Sequence, residues 1–294
     1  MKLLTCRIKG VEQVGVLSRD ETTIYPIGEL GLTETTMNDL IRGFDGRKKQ
    51  LLQDVAENGH PCGVLCSQTE PCAPIPHPVG NVICLGENYM QHAAESYRFQ
   101  KVDFNGKQPH AVYFDKKVTR TLGSGEAIDG HLEFVTKLDY ECELAVILGK
   151  DALHVREEDV DGYIVGYSVA NDISARDVQY RHKQNYLGKS LDTFFAMGPV
   201  IVTADEFPSE PALPIRCYVN GELRQNSFTD QVYFGIRHIV SELSRGMTLP
   251  AGTIIITGTP AGVGMGMEPP CFLTHGDVVA CEIDGIGRIS NTVQ

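Results

Sequence analysis

The chain has 294 residues, 42% of them hydrophobic and 22% charged, enough apolar material for one large domain or a domain with a small appendage. Asp and Glu total 38 against 26 Lys and Arg, a net charge of −12. That charge repels phosphate backbones and anionic lipid heads, so neither nucleic acid nor a membrane surface is expected as a partner. The longest apolar runs, at residues 144–148 and 253–256, are strand-length rather than the ~20 residues that a bilayer crossing requires.

Taken in chain order, the first ten residues carry Lys2, Arg7 and Lys9 with no apolar signal core, which predicts a cytoplasmic protein. Residues 2–9 and 13–17 alternate as short strands, whereas Met37, Leu40, Ile41 and Phe44 recur with a helical period. A second helix is expected around Leu51, Leu52 and Val55, closed by Asn58 and Gly59 as a left-handed cap. Pro61, Pro71, Pro74, Pro76 and Pro78 then crowd a stretch that can be neither helix nor central strand. It reads as a linker. The expected organisation is a small N-terminal α+β domain with this linker, residues 1–75, followed by a main domain, residues 76–294.

Beyond the linker, short β runs are expected at residues 81–85, 140–148, 163–170, 200–203, 215–219, 253–257 and 278–283. Asn220-Gly221 and Asp284-Gly285 read as hairpin turns, and residues 232–243 as one amphipathic helix. With 30 Gly, 15 Pro and no Trp, the expected class is α+β with strands dominant. Nine scattered cysteines, an odd number, argue for reduced thiols over a disulfide framework. His60, Cys62, Cys66, Cys72 and His77 lack the paired C-x2-C spacing of structural zinc and read as ordinary thiols.

The chemistry concentrates in D-Y-E-C-E-L-A-V-I-L-G, residues 139–149. In a strand Glu141 and Glu143 point the same way, beside Ala145 and Ile147, while Tyr140, Cys142, Leu144, Val146 and Leu148 fill the other face. Two carboxylates roughly 6.6 Å apart repel by about 2.5 kcal/mol at an effective dielectric of 20, and each costs several kcal/mol more to bury. Something positive must neutralise them. Either a hard divalent cation sits there, since the donors are all oxygens, or Glu141 lies at an edge and pairs with Lys or Arg. Asp172, at the end of the run 163–170, reads equally as a third ligand or as a helix N-cap for residues 174–180.

His92 and Glu95 stand three apart after the apolar run 82–85, on one face of a helical turn. A carboxylate-oriented imidazole suits general-base work on a water, although an isolated H-x-x-E is often merely solvated. Lys189, in L-G-K-S, could meet an anionic substrate or simply be exposed. The loop T-G-T-P-A-G-V-G at 257–264 offers backbone N–H groups to a carboxylate or enolate oxygen, or is a tight turn.

Together, G-x-N-Y-x-x-H-x-x-E (86–95), F-x-K (114–116), D-Y-E-x-E-L (139–144), N-D-x-S-A-R-D (171–177), G-K-S (188–190), V-N-G-E-x-R-Q (219–225) and T-G-T-P-x-G-V-G (257–264) resemble the fumarylacetoacetate hydrolase superfamily. The likeness runs from about residue 79 to the C-terminus and favours a member of acylpyruvase or 2-hydroxyhepta-2,4-diene-1,7-dioate isomerase type. It implies a β-roll of mixed sheets, assembled as a homodimer, with Mg2+, Mn2+ or Ca2+ held by Glu141, Glu143 and Asp172. By the same resemblance His92 and Glu95 form a water-activating pair on a lid helix, and Lys189 contacts the substrate or transition state. Tyr89, Lys116, Arg176, Gln179, Gly258 and Thr259 would bind the substrate. One departure stands out: residues 96–108 make a longer lid segment than small acylpyruvases carry.

In such a site a 2-oxo acid chelates the ion and the ion stabilises the enolate. The expected activity is hydrolysis of a carbon–carbon bond in a 2,4-dioxo acid, an acylpyruvate or a fumarylacetoacetate-like substrate. Decarboxylation, keto–enol tautomerisation or hydration of a 2-oxo acid is the alternative. A silent relative that only binds metal or a small acid is a third reading, which the intact H-x-x-E opposes.

Overall fold

The computed structural model describes residues 1–106 and 108–294. The alternating N-terminal segments form a hairpin, β1 (Lys2–Ile8) and β2 (Val11–Leu17). Its turn places Lys9 and Gly10 at φ 52° and 79°, the left-handed pair that matches the twist of flanking strands. After β3 (Thr23–Pro26) come two helices, α1 (Met37–Arg42) and α2 (Gly46–Asn58). Each is capped by the residue just before it: Thr36 accepts from the Asp39 N–H and Asp45 from the Lys48 N–H. The Pro-rich stretch yields only the two-residue strands β4 (Val64–Leu65) and β5 (Glu70–Pro71), as expected where prolines remove ladder donors.

The remainder carries β6 (Val82–Gly86), α3 (Met90–Gln100), β7 (Val112–Lys116), β8 (Leu138–Asp139), β9 (Cys142–Leu148), β10 (Ile164–Asp172) and β11 (Ser174–Ala175). There follow α4 (Arg176–His182), α5 (Asn185–Lys189), β12 (Phe195–Thr203), β13 (Pro214–Val219), β14 (Glu222–Phe228), α6 (Ile236–Ser244), β15 (Ile254–Ile256), β16 (Val278–Ile283) and β17 (Gly287–Thr292). One long sheet runs β4-β3-β2-β1-β12-β10-β9-β15-β6-β7, with β5 on β1; a second runs β14-β13-β16-β17, and β11 pairs with β8. Among the described strands only β15 and β6 pair parallel, so the fold is the mixed, strand-dominated α+β class expected.

β9 lies inside the long sheet between β10 and β15, and every residue of it is buried. Its alternation splits two cores: Cys142, Leu144, Val146 and Leu148 enter one, Ala145 and Ile147 the other. The second core also takes in Leu3, Val14, Met37 and Leu52. The first 75 residues thus share a sheet and a core with the rest of the chain. β12 begins at Phe195, five positions before the expected run, and so takes in Gly198 and Pro199, residues that ordinarily punctuate strands. α6 starts at Ile236 instead of 232. No described helix is long and apolar enough to cross a membrane.

Candidate active site

The strands β8, β9 and β10 and the link between the first two deliver four acids to one place. Asp139 ends β8, Glu141 lies in the link to β9, Glu143 is the second residue of β9 and Asp172 is the last of β10. β9 and β10 pair antiparallel with Ala170 opposite Glu143 and Asn171 opposite Cys142, which sets Asp172 beside the E-x-E motif. One carboxylate oxygen from each of Glu141, Glu143 and Asp172 lies within 4.8 Å of the others. All four acids are buried. Asp172 does not cap a helix: α4 begins at Arg176 with Ala175 before it.

Three buried cations answer these acids. Lys189 Nζ lies 2.6 Å from Glu141 Oε2 and 2.8 Å from Asp172 Oδ2. Arg176 bridges Glu141 through Nη2 at 2.7 Å and Asp139 through Nε at 2.9 Å. Lys116 pairs with Asp172 Oδ1 and donates to the Ile173 carbonyl at 3.0 Å and to the Phe194 carbonyl. The paired-with-Lys/Arg reading of Glu141 therefore holds together with the clustering of the acids, and without a sheet edge. Burial alone would raise the Glu141 pKa, but Lys189 and then Arg176 outweigh it and hold that carboxyl low. Burial lowers Lys116 despite Asp172.

Glu143 is the exception. Its Oε2 accepts the Gly258 N–H at 2.6 Å, and no described cation pairs with it. Burial, then the charges of Asp172 and Glu141, push its pKa well above the usual carboxylate range. Four acids against three cations leave one surplus negative charge at the point where three carboxylates converge. An all-oxygen, buried, under-neutralised triad fits a hard divalent cation, which would let Glu143 ionise. It is the only group of three or more potential ligands among the described residues. In the segment with His60, Cys62, Cys66, Cys72 and His77, His60 Nδ1 meets Cys62 Sγ at 3.0 Å but no group of three potential ligands forms among the described residues, and all nine cysteines are free.

α3 carries His92 and Glu95 over this cluster. His92 is buried, with Nδ1 3.8 Å from Glu95 Oε2 and Nε2 3.8 Å from Glu141 Oε1. These separations exceed hydrogen-bond length, and Nδ1 has no hydrogen-bond partner. Glu95 instead accepts the Gly262 N–H at 3.1 Å on both oxygens. Gly262 stands at φ 103°, and a Cβ there would meet the Arg224 carbonyl at 1.9 Å, so only glycine permits the contact.

The Gly-rich loop differs from expectation. Several N–H groups in it and just past it are already taken: Gly258 serves Glu143, Gly262 serves Glu95, and Gly264 and Met265 serve Asp139 at 2.6 and 3.1 Å. Buried carboxylates must find donors, and the loop supplies them. Thr259 is committed too, donating to the Cys142 carbonyl at 2.9 Å and accepting from Gln225 Nε2 at 2.8 Å.

A cavity of about 470 Å³ opens from the cluster, lined by Glu141, His92, Arg176, Lys189, Gln179 and Thr259 among others. Gln179 accepts from Arg176 Nη1 at 3.4 Å and donates to Asn185 at 2.8 Å. Tyr89, Lys116 and Gly258 are not among its lining residues. Tyr89 precedes α3 with its hydroxyl buried and unpartnered, Lys116 stands behind Asp172, and Gly258 behind Glu143. Tyr113 lines the wall, its hydroxyl donating to Glu242 at 2.7 Å. Of the expected lid segment, Lys107 lies outside the described residues.

Sequence reasoning gave no role to Asp139, Gln225 or Asn88. Asp139 accepts four donors, Gln225 fastens Thr259 and Pro260 to Cys142, and the Asn88 amide ties the β15 end to the segment leading into α6, donating to the Thr257 and Phe234 carbonyls. Each sits in a motif already noted, and the available signal was a polar side chain next to a strand with no exposed face to go to.

The model of the fumarylacetoacetate (FAA) hydrolase C-terminal family matches residues 81–294. A curated protein of Bacillus subtilis (strain 168), oxaloacetate tautomerase YisK, is 44% identical over 221 residues, covering 75% of this chain and 72% of that one. The solved structure of a fumarylacetoacetate hydrolase from psychrophilic Exiguobacterium antarcticum superposes with a TM-score of 0.84 at 35% identity, covering 100% of this chain and 99% of that one. A maleylpyruvate hydrolase from Sphingobium sp. SYK-6, solved in complex with manganese (II) ion and pyruvate, gives 0.77 at 26% identity, covering 100% and 98%.

Proposed function

The chain belongs to the fumarylacetoacetate hydrolase family, and from that premise we propose that it is a divalent-metal-dependent keto–enol tautomerase of a small 2-oxo dicarboxylic acid of the oxaloacetate type. The observation that carries the reading is the state of His92. It faces the cavity beside Glu141, yet makes no hydrogen bond to Glu95, whose oxygens are held by Gly262. A proton shift needs one imidazole that takes a proton from C3 and returns it to the oxygen on C2. Hydrolysis needs that imidazole plus an oriented water. The oxaloacetate tautomerase activity named for the 44% identical relative supports the same choice.

A cation held by Glu141, Glu143 and Asp172 would supply Lewis-acid polarisation of the 2-oxo group. The remaining work falls to the protein. Lys189 spends two N–H donors on Glu141 and Asp172, and an ammonium has three. The third serves the substrate oxygen on C2 as negative charge grows there. Arg176, fixed between Asp139 and Glu141, sets the orientation of Glu141 and puts positive potential at the cavity floor. α3 closes over the reacting carbon and keeps stray water from it.

Carbon–carbon hydrolysis remains the second reading, favoured by Glu95 lying 3.8 Å from His92 Nδ1. The experiment follows the decay of the enol ultraviolet absorbance of oxaloacetate, with Mg2+ titrated into chelator-stripped protein and acylpyruvates assayed in parallel. Metal-dependent acceleration of enol decay supports the tautomerase. Cleavage of acylpyruvate without that acceleration overturns it in favour of the hydrolase.

A further inference from the structure

Part of the cavity's polar lining lies outside the acid cluster. Of the cations lining it, Arg176 and Lys189 are bound to Asp139, Glu141 and Asp172 at 2.6–2.9 Å. Lys183 is different: it lines the same cavity and forms no ion pair with any described carboxylate. It is the C-terminal cap of α4, held at φ 52° with its N–H on the Tyr180 carbonyl. That left-handed turn breaks the helix and leaves the residue at the cavity rim, exposed. Beside it along the chain are the amides of Gln179, Gln184 and Asn185, all lining the cavity. On the β6–α3 side stands a carboxyl, Glu87, half-buried and accepting from Ser96 at 3.2 Å. An anionic tail is repelled from the Glu87 side and drawn to the α4–α5 side.

We propose that Lys183, seated among the Gln179, Gln184 and Asn185 amides, anchors the distal carboxylate of the substrate and so makes the enzyme select 2-oxo dicarboxylates over 2-oxo monocarboxylates. The proposal rests on the tautomerase reading for the head group and adds the recognition of the tail. Lys183 touches no acid of the cluster, so its removal leaves the head-group site intact. A hydrogen bond between two charged groups is worth roughly 10-fold in affinity.

The test is calorimetric binding to the Mg2+-loaded protein of a matched pair of probes, 2-oxoglutarate and 2-oxopentanoate, which differ in the distal carboxylate. The wild type is expected to bind the diacid roughly 10-fold tighter. Lys183→Met should bring the diacid to the level of the monoacid while leaving the monoacid unchanged, and Lys183→Arg should retain the preference. Binding of neither probe, no preference in the wild type, an equal loss of both in Lys183→Met, or an undiminished preference in that variant overturns the proposal. Oxaloacetate enol decay on the same wild-type sample separates the two ideas. Diacid preference without turnover refutes the tautomerase and leaves the anchor standing, whereas turnover without diacid preference does the reverse.

Discussion

Replacing Asp139 by Asn tests how the site is held in place. The Asp139 carboxylate is fully buried and accepts from the N–H groups of Tyr140 at 2.9 Å, Gly264 at 2.6 Å and Met265 at 3.1 Å, and from Arg176 Nε at 2.9 Å. Asparagine keeps the volume but turns one oxygen into an NH2 group. Oδ1 faces Tyr140 and Gly264 while Oδ2 faces Met265 and Arg176, so either orientation of the amide sets two donors against two donors. Each buried donor left unsatisfied costs about 1–3 kcal/mol. Arg176 keeps Glu141, which limits the loss of the ion pair, so a total of about 4 kcal/mol is expected. For a chain of this size that is a drop in melting temperature of roughly 6 °C. The measurement is thermal and urea unfolding of chelator-stripped wild type and Asp139→Asn. Because Arg176 lines the cavity, kcat for enol decay should fall as well. A variant that melts within about 2 °C of wild type would refute the view that Asp139 ties the loop, Arg176 and β8 together.

Glu143→Gln should weaken Mg2+ binding by roughly 100-fold in calorimetry while leaving the metal-free protein at least as stable as wild type, because Glu143 is the acid with no cation partner. Retained metal affinity would remove it from the ligand set. His92→Ala should lower kcat for enol decay by roughly 100-fold or more without changing Mg2+ affinity, read by stopped-flow absorbance and calorimetry. Gly262→Ala forces a Cβ against the Arg224 carbonyl at a φ of 103°, and should cost about 3 kcal/mol in urea unfolding through backbone strain and lost hydrogen bonds to Glu95. A loss below about 0.5 kcal/mol would show that the loop yields freely.

The elements that sequence reasoning located are those with strong local signals. β9 has an unbroken alternation, α2 a cap at each end, and Asn220-Gly221 the φ pair of 52° and 83° that its hairpin requires. Charge cost on a buried strand required Glu141 and Glu143 to be answered but left a cation or a Lys/Arg partner equally open; that Asp172 joins them was implied by the family resemblance, not by any local signal. Their partners were harder to read. Lys116, Arg176 and Lys189 come from three separate elements, and nothing local marks a lysine as buried. The N–H groups of Gly258, Gly262 and Gly264 read as open to a ligand because a sequence does not reveal that Glu143, Glu95 and Asp139 approach from elsewhere to take them. β14 and β17 lack clean alternation and were marked only by the hairpin turns before them, while the short α5 lies in a polar stretch and did not announce itself.

The long sheet carries a consequence for how this chain can be cut. The recognised family match begins at residue 81, yet β12 is flanked on one side by β10 and on the other by β1, and Leu3, Met37 and Leu52 pack with Ala145 and Phe195. A fragment trimmed to the matched span would bare a raw strand border and a greasy flank beside Asp172's own neighbour. Such a piece should clump on expression, so the smallest portion worth purifying is larger than the portion that homology recognises.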